Sequence, residues 1–492
     1  MTWRVYGLRH PGWSFRKVRK KRHFEHGIFC ILLSLAMGVG FHLSAAPALA
    51  VSIEEETIVG ERFLESMRKQ FSFVDDDFVD EYVDELGHYL VKGLDTHPFP
   101  FQFYVIVSND LNAFAGPGGY VFVYTGLINS MDRADELAAV LGHEIGHVSA
   151  RHLSNRVEQN KKIALGTLAG VLAGVLIGGN ASAALMTGSM AAGIQQQLSY
   201  SREDERQADQ LGFKYMTLAG FDPSGMVELL NALEKGHPQG TNAAPSYLLT
   251  HPGGPERISN IESMTVGYKP GAENREVARL RMLFPYIKVT LAAKYEDTDD
   301  AERLLKKLAQ ESPDSAIVNY GYGLLWKEKA EYAKALEYLQ KASKRDPTFL
   351  PILRNLGEVY HLMGQDRQAI SVLEEALKID DQDKATLFLL AGSYESLEEY
   401  GKATVFYERL ASMKPVKDEV YQNLGICYGR EGKLAQAHYH FAIYFLKLGE
   451  LRKAKFHFQK ADELAANDPG LRRMIGEAKE SLRSREKKSS EY

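Results

Sequence analysis

His143, Glu144 and His147 form the pattern H-E-x-x-H within a chain of 492 residues. On a helix, a separation of four puts both imidazoles on one face about one turn apart, where they can share a tetrahedral metal ion. Glu144 lies beside them, placed to take a proton from an attacking water. The ion this pattern suits is zinc, one per chain. Two histidines leave a third ligand to be found. Glu205 and Asp209 lie four apart in the charged segment Ser201-Arg202-Glu203-Asp204-Glu205-Arg206-Gln207-Ala208-Asp209, so a helix there carries both carboxylates on one face. Glu205 can then bind the metal while Asp209 holds a ligand imidazole in the correct tautomer. The blander reading of such letters is a solvated helix face, and Glu203, Asp204 and Arg206 are read that way. For the histidines that reading is weakened by Leu137, Ala138, Val140 and Leu141, because imidazoles on an apolar helix need a partner.

The elements that must position these residues follow from periodicity. A helix is predicted from about Arg133, with Ser130 and Asp132 as capping candidates. Ahead of it, Glu54–Phe71 and Asp76–Gly93 have apolar residues at spacings of three and four, which predicts two helices. Phe101–Val107 and Tyr120–Tyr124 read as strands, separated by the turn-rich stretch Asn112–Gly119. Residues Ile163–Ser201 contain no Asp, Glu, Lys or Arg, and Gly166, Gly170, Gly174 and Gly178 recur on one helical face. That spacing allows close approach, either to the protein's own core as paired helices or a lid, or to a membrane through residues 163–194.

Downstream lies a repeat. Ala301, Ala335, Ala369, Ala403 and Ala437 are each 34 residues apart; Gly323, Gly357, Ala391 and Gly425 keep the same step, as do Pro313, Pro347, Asp381 and Pro415. Trp326, Tyr360, Tyr394 and Tyr428 follow the small position by three. Agreement of these registers is the tetratricopeptide signature of stacked helix pairs. A degenerate first unit spans Met282–Ser315 with Val289 at the small position. Gly449, Ala454, Phe458 and Ala461 begin a half-unit that reads as a closing helix. The expected organisation is a leader (1–50), a metalloprotease domain (51–280), a repeat domain (281–482) and a polar tail (483–492). The fold class is α+β, mostly α: a zincin domain with a small sheet, then an all-α solenoid.

Charge and cysteine usage bound the function. The first 50 residues carry eight Lys/Arg against Glu25 alone, followed by the uncharged run Ile28–Phe41 and Ala48-Leu49-Ala50. That order predicts a signal peptide cleaved after Ala50, an uncleaved anchor being the alternative, and in either case export of the remainder. Without the first 50 residues the chain has 51 Lys/Arg against 63 Asp/Glu, an acidic balance that argues against nucleic acid as a partner. Of the two cysteines, Cys30 lies in the leader and Cys427 in the repeats, which argues against a disulfide-stapled scaffold and against a Cys-ligated metal site.

H-E-x-x-H followed about 60 residues later by S-R-x-x-E-x-x-A-D resembles the gluzincin family of CAAX prenyl proteases and bacterial heat-shock membrane proteases. An export signal and C-terminal repeats narrow the resemblance to the periplasmic β-barrel assembly-enhancing protease subgroup. The resemblance implies His143, His147 and Glu205 as zinc ligands, Glu144 as catalytic base and Asp209 as the residue supporting a ligand. Thr250-His251-Pro252 and Arg257 resemble the subgroup's switch segment, which implies His251 as a regulatory fourth ligand and Arg257 as a residue near the active site. Asn112–Thr125 is similar to the family's active-site edge strand, where an extended substrate adds to the sheet. The subgroup carries paired cysteines among its repeats; Cys427 is alone, so no disulfide is carried over.

The leading expectation is a periplasmic zinc endopeptidase acting on misassembled outer-membrane or envelope proteins. Its repeats would recruit protein or peptide substrates, or the outer-membrane assembly machinery. The alternative is a repeat-based chaperone or adaptor whose metal site is latent or residual. An integral-membrane prenyl-protein protease is disfavoured for want of several long apolar spans.

Overall fold

A computed structural model of the chain describes residues 51–94, 96–159, 199–235, 245–269, 271 and 274–490. The expected leader (1–50) and nearly all of the uncharged Gly-rich run, including 163–194, lie outside the described residues. Val51–Tyr492 forms one compact unit.

The N-terminal part opens with helices α1 (Ile53–Gln70) and α2 (Asp77–Val91). Ser52 and Asp76 cap them by accepting from backbone N–H groups of the first turn, which satisfies donors the helix cannot. Strands β1 (Gln102–Ile106), β2 (Ala113–Ala115) and β3 (Tyr120–Tyr124) form one sheet in the order β1-β3-β2, with β1 parallel and β2 antiparallel to β3. The turn-rich stretch therefore contains a strand of its own. Tyr120–Tyr124 is the central strand, buried along its whole length, with Gln102–Ile106 at one edge and Ala113–Ala115 at the other. A short helix α3 (Thr125–Ser130) leads into α4 (Ala134–Ser149), which carries the H-E-x-x-H pattern. Neither Ser130 nor Asp132 caps α4. Instead the Glu136 carboxylate reaches back to accept from the N–H groups of Asp132 and Arg133, at 2.8 and 2.9 Å.

Every residue of α4 from Ala134 to Val148 is buried, so this helix is the centre of the fold rather than a surface element. Around it lie α5 (His152–Gln159), α6 (Arg202–Ala219), α7 (Ser224–Lys235), the short α8 (Ser246–Thr250) and α9 (Pro255–Thr265). Helices α4 and α6 cross backbone to backbone. A methyl group added at Gly146 would sit 2.8 Å from the carbonyl oxygen of Ala208, and one at Gly212 would sit 3.0 Å from the His143 nitrogen. Such an approach is available only where side chains are absent.

The remaining helices run in pairs from α10 (Arg275–Tyr295) and α11 (Thr298–Glu311). Next come α12 (Ala316–Glu328) with α13 (Tyr332–Arg345), and α14 (Leu350–Leu362) with α15 (Asp366–Ile379). They are followed by α16 (Lys384–Ser396) with α17 (Tyr400–Ser412), and α18 (Asp418–Arg430) with α19 (Leu434–Lys447). The small positions lie at the contacts within pairs: a methyl at Gly323 would meet Leu339 at 2.6 Å, at Gly357 Leu373 at 2.5 Å, and at Gly425 Phe441 at 2.8 Å. Of the aromatics three residues on, Tyr360, Tyr394 and Tyr428 also bond between pairs. The Tyr360 hydroxyl accepts from Gln340 and the Tyr394 hydroxyl donates to Glu374, while that of Tyr428 donates to Glu408. Cys427 is buried and has no disulfide partner among the described residues. The array ends in two helices, α20 (Leu451–Leu464) and α21 (Pro469–Ser490), where the sequence suggested a single closing one; residues 483–490 continue α21.

Helix α10 serves both parts. Val277, Leu280, Phe284, Ile287 and Leu291 belong to the core around α4, whereas Tyr286, Val289, Ala292 and Ala293 belong to the first repeat core. The expected boundary between residues 280 and 281 falls inside this helix.

Candidate active site

Helices α4 and α6 bring His143, Glu144, His147, Glu205 and Asp209 to one point, and the turn after α8 adds His251. Nε2 of His143 and Nε2 of His147 lie 3.0 Å apart. Carboxylate oxygens of Glu205 are 3.5 Å from each of those nitrogens. Nδ1 of His251 is 3.3 Å from Nε2 of His143 and 3.0 Å from Oε1 of Glu205. A tetrahedron with metal–ligand bonds of about 2.0–2.1 Å has edges of about 3.3 Å, so one donor from each of these four residues fits around a single zinc ion. The donor chemistry fits as well: three imidazoles and a carboxylate, all buried, with no thiolate.

The surroundings are charged and closed. Nδ1 of His143 lies 2.9 Å from Oδ1 of Asp209. Arg257, on α9, donates through Nε and Nη2 to the two oxygens of Asp209 at 2.7 Å each, and its Nη1 lies 2.7 Å from Oε2 of Glu205. Burial disfavours the charge on Glu205, yet His251 and the Arg257 guanidinium outweigh it and hold the carboxyl well below its usual range. Asp209 is treated the same way, burial being overcome by Arg257 and by its hydrogen bond to His143. Burial and Arg257 oppose a charge on His143, but hydrogen bonds to Asp209 and Glu205 raise its pKa to about 9. Burial drives His147 well below its usual value, leaving a neutral ring with a lone pair to offer. Both carboxylate oxygens of Glu144 and Nε2 of His251 have no hydrogen-bond partner among the described residues. These two groups face each other at 3.5 Å.

His251 is held by packing. Its ring stacks on Tyr247, with centroids 4.5 Å apart and planes 18° apart, and its N–H donates to the Tyr247 carbonyl. Tyr200 lies over His147 at 3.9 Å, and its N–H donates to the carbonyl of Thr250. The N–H of Tyr247 donates to Leu111, one residue before Asn112 and the edge strand β2. Segment 245–251 thus joins the metal-ligating cluster to the end of the sheet edge.

All seven residues singled out in the sequence therefore converge, Arg257 included. Sequence reasoning missed Tyr200, Tyr247, Gln207 and His152, and the role of Gly146 and Gly212 in letting the two helices touch. The glycines left a signal: Gly142 and Gly146 alternate with the motif residues, and Ala208 and Gly212 follow Glu205 at three and seven. Asp204 was read as plain surface, but it accepts from the Ser201 hydroxyl and backbone N–H and so caps α6.

Comparison with known proteins agrees with this geometry. The family described as "Peptidase family M48" matches residues 78–265, and "Tetratricopeptide repeat" families match 327–392 and 435–468. A putative β-barrel assembly-enhancing protease of Vibrio cholerae is 29% identical over 304 residues, covering 60% of this chain and 62% of that protein. β-Barrel assembly-enhancing proteases of Yersinia pestis and Escherichia coli K12 are each 27% identical. The first covers 72% of this chain and 72% of the relative, the second 70% and 78%. The aligned region thus spans under two thirds of the V. cholerae protein and more of the other two. Among the described residues no helix is long and apolar enough to cross a membrane. The chain carries a zinc metalloendopeptidase domain of peptidase family M48, with tetratricopeptide repeats following it.

Proposed function

We propose that this protein is a periplasmic zinc endopeptidase that cleaves misassembled outer-membrane or envelope proteins, held latent by His251 until a substrate is engaged. The observation that carries the reading is the buried carboxylate of Glu144, without a hydrogen bond among the described residues, beside a cluster of donors spaced for one zinc ion. In this reading His143, His147 and Glu205 hold the ion. Zinc, when bound, supplies a Lewis-acid charge that polarises a carbonyl and acidifies water. Glu144 takes a proton from the attacking water and delivers it to the departing amine, a transfer its unsatisfied oxygens are free to make. Asp209 fixes the ring of His143 through Nδ1, and Arg257 neutralises the two carboxylates that would otherwise repel each other.

The substrate lies along β2. Hydrogen bonds from Tyr124 to Asn112 and from Gly116 to Tyr120 turn those residues toward β3, which leaves the backbone groups of Ala113 and Ala115 on the outer edge. An extended peptide pairs there through main-chain bonds that are tolerant of sequence. The repeats recruit substrate proteins or the outer-membrane assembly machinery; the names of the relatives support that setting.

His251 fully buried at the metal cluster supports the latent state. Replacing it with Ala opens the fourth position and frees the end of the sheet edge. A coupling of roughly 1–3 kcal/mol between latch and substrate corresponds to a gain of about 5- to 150-fold in cleavage of an unfolded envelope protein. Unchanged cleavage would count against the latch. Should neither wild type nor His251→Ala cleave while both hold zinc, the alternative of a chaperone or adaptor with a residual metal site is favoured.

Chelation tests the ion itself. Stripping zinc removes ligand stabilisation of about 4 kcal/mol when the metal stands at a thousand times its dissociation constant. The melting temperature is therefore expected to fall by several degrees and cleavage to stop, both restored by one equivalent of zinc. Full cleavage by the zinc-free protein would rule the reading out.

A further inference from the structure

His147 offers Nε2 to the metal cluster, and its other nitrogen is not idle: Nδ1 lies 2.9 Å from Nδ1 of His152. We propose that His152 is a positioning residue for His147, holding that ring in the tautomer that leaves Nε2 free for the ion. The proposal rests on the zinc-site reading above.

The argument is one of donors and acceptors. A neutral imidazole has one N–H and one lone pair. If Nε2 of His147 binds a cation, the proton is on Nδ1, and it must donate to a lone pair on Nδ1 of His152. His152 then carries its own proton on Nε2, which lies 3.0 Å from Oε1 of Gln207, an acceptor. Asp204 is 3.8 Å from the same nitrogen, beyond hydrogen-bond reach, so the amide is the partner. One amide oxygen on α6 thereby sets the tautomers of two rings. The opposite polarity would aim an N–H of His147 at His143 and at the ion.

The ring of His152 is held firmly enough to do this. It is buried, and Arg151 before it adopts φ +53°, the left-handed turn that swings the chain from α4 into α5. Few residues other than glycine hold that conformation without support. The support is Glu56 of α1, buried, which accepts from Arg151 at 2.9 Å and from the hydroxyl of Ser154. Arg151 also donates to the carbonyl of Val51 at 2.6 Å. The two histidine ligands are thus backed differently, His143 by the carboxylate of Asp209 and His147 by a neutral ring and an amide.

Zinc affinity of the full chain, measured by competition with a chromophoric chelator, tests this, with the visible spectrum of the cobalt(II)-substituted protein as a second readout. His152→Phe keeps the bulk and removes the acceptor, and is expected to weaken zinc binding by about 10- to 100-fold. His152→Asn places an acceptor oxygen near the position of Nδ1, and is expected to stay within about threefold of wild type with an unaltered cobalt spectrum. Gln207→Leu, at an exposed position, is expected to weaken binding several-fold by freeing the tautomers. The proposal is overturned if His152→Phe binds zinc like wild type, or if His152→Asn is no better than His152→Phe. If His152→Phe does not fold, Gln207→Leu decides: undiminished affinity overturns the proposal and a several-fold loss upholds it. A wild-type chain that takes up no zinc overturns the zinc-site reading and this proposal with it. That result is distinct from a wild type that binds zinc indifferently to His152.

Discussion

Glu144→Gln is expected to keep its zinc and to lose cleavage by about 10²- to 10⁴-fold in kcat, the range typical of a lost general base. Gln has nearly the size of Glu, so the fully buried site should not collapse. The amide cannot take a proton at neutral pH, and one of its two polar ends is a donor where Glu144 offered two acceptors. KM should change little, because Glu144 lies at the cluster and not along the edge strand where the peptide would pair. Metal analysis and cleavage of an unfolded envelope protein, run side by side on both proteins, check this. Equal turnover by wild type and Glu144→Gln would sink the mechanism. Zinc lost together with activity would instead mean that Glu144 acts as a ligand.

Gly146→Val is the second large effect, and it acts without touching a reacting atom. Its first side-chain carbon would meet Ala208 O at 2.8 Å, Ala208 Cα at 3.2 Å and Leu211 Cβ at 3.3 Å, so α4 and α6 must separate. Forcing volume into a packed crossing costs roughly 1–3 kcal/mol. The catalytic cost is larger, because two metal ligands ride on α4 and the third on α6. A shift of about 1 Å between reacting groups can cost about 10²-fold in rate. Activity should therefore fall by at least about 10²-fold, and zinc affinity with it, while Gly146→Ala produces a milder version of both. A Gly146→Val protein with wild-type zinc affinity and turnover would show that the helices have slack that the close contact denies.

These two substitutions mark what the sequence could and could not tell. Local spacing was readable: four residues between His143 and His147, four between Glu205 and Asp209, and 34 between repeat positions each dictate a shared face. His251 and Arg257, more than 100 residues from His143, came only through family resemblance, since no periodicity connects a loop residue to a distant helix. The sheet order was not readable either. Tyr120–Tyr124 and Ala113–Ala115 differ in length and letters, but which of them is central depends on pairing with Gln102–Ile106, a non-local choice. His152 escaped because a histidine five residues after His147 lies off the ligand face of an uninterrupted helix. Only the left-handed turn at Arg151 brings it back.

Helix Arg275–Tyr295 gives one face to the core around H-E-x-x-H and the other to the first repeat, with no linker between them. Burial of that kind ties two bodies into one cooperative unit. Trimming the chain near residue 280 cannot release a free protease, because it would uncover Phe284, Ile287 and Leu291 or strip them from the core they fill. Unfolding of the first repeat is then expected to take the core around H-E-x-x-H with it. Damage that melts the helices packed on Arg275–Tyr295 is therefore expected to reach the helix that carries His143, Glu144 and His147 through the core they share.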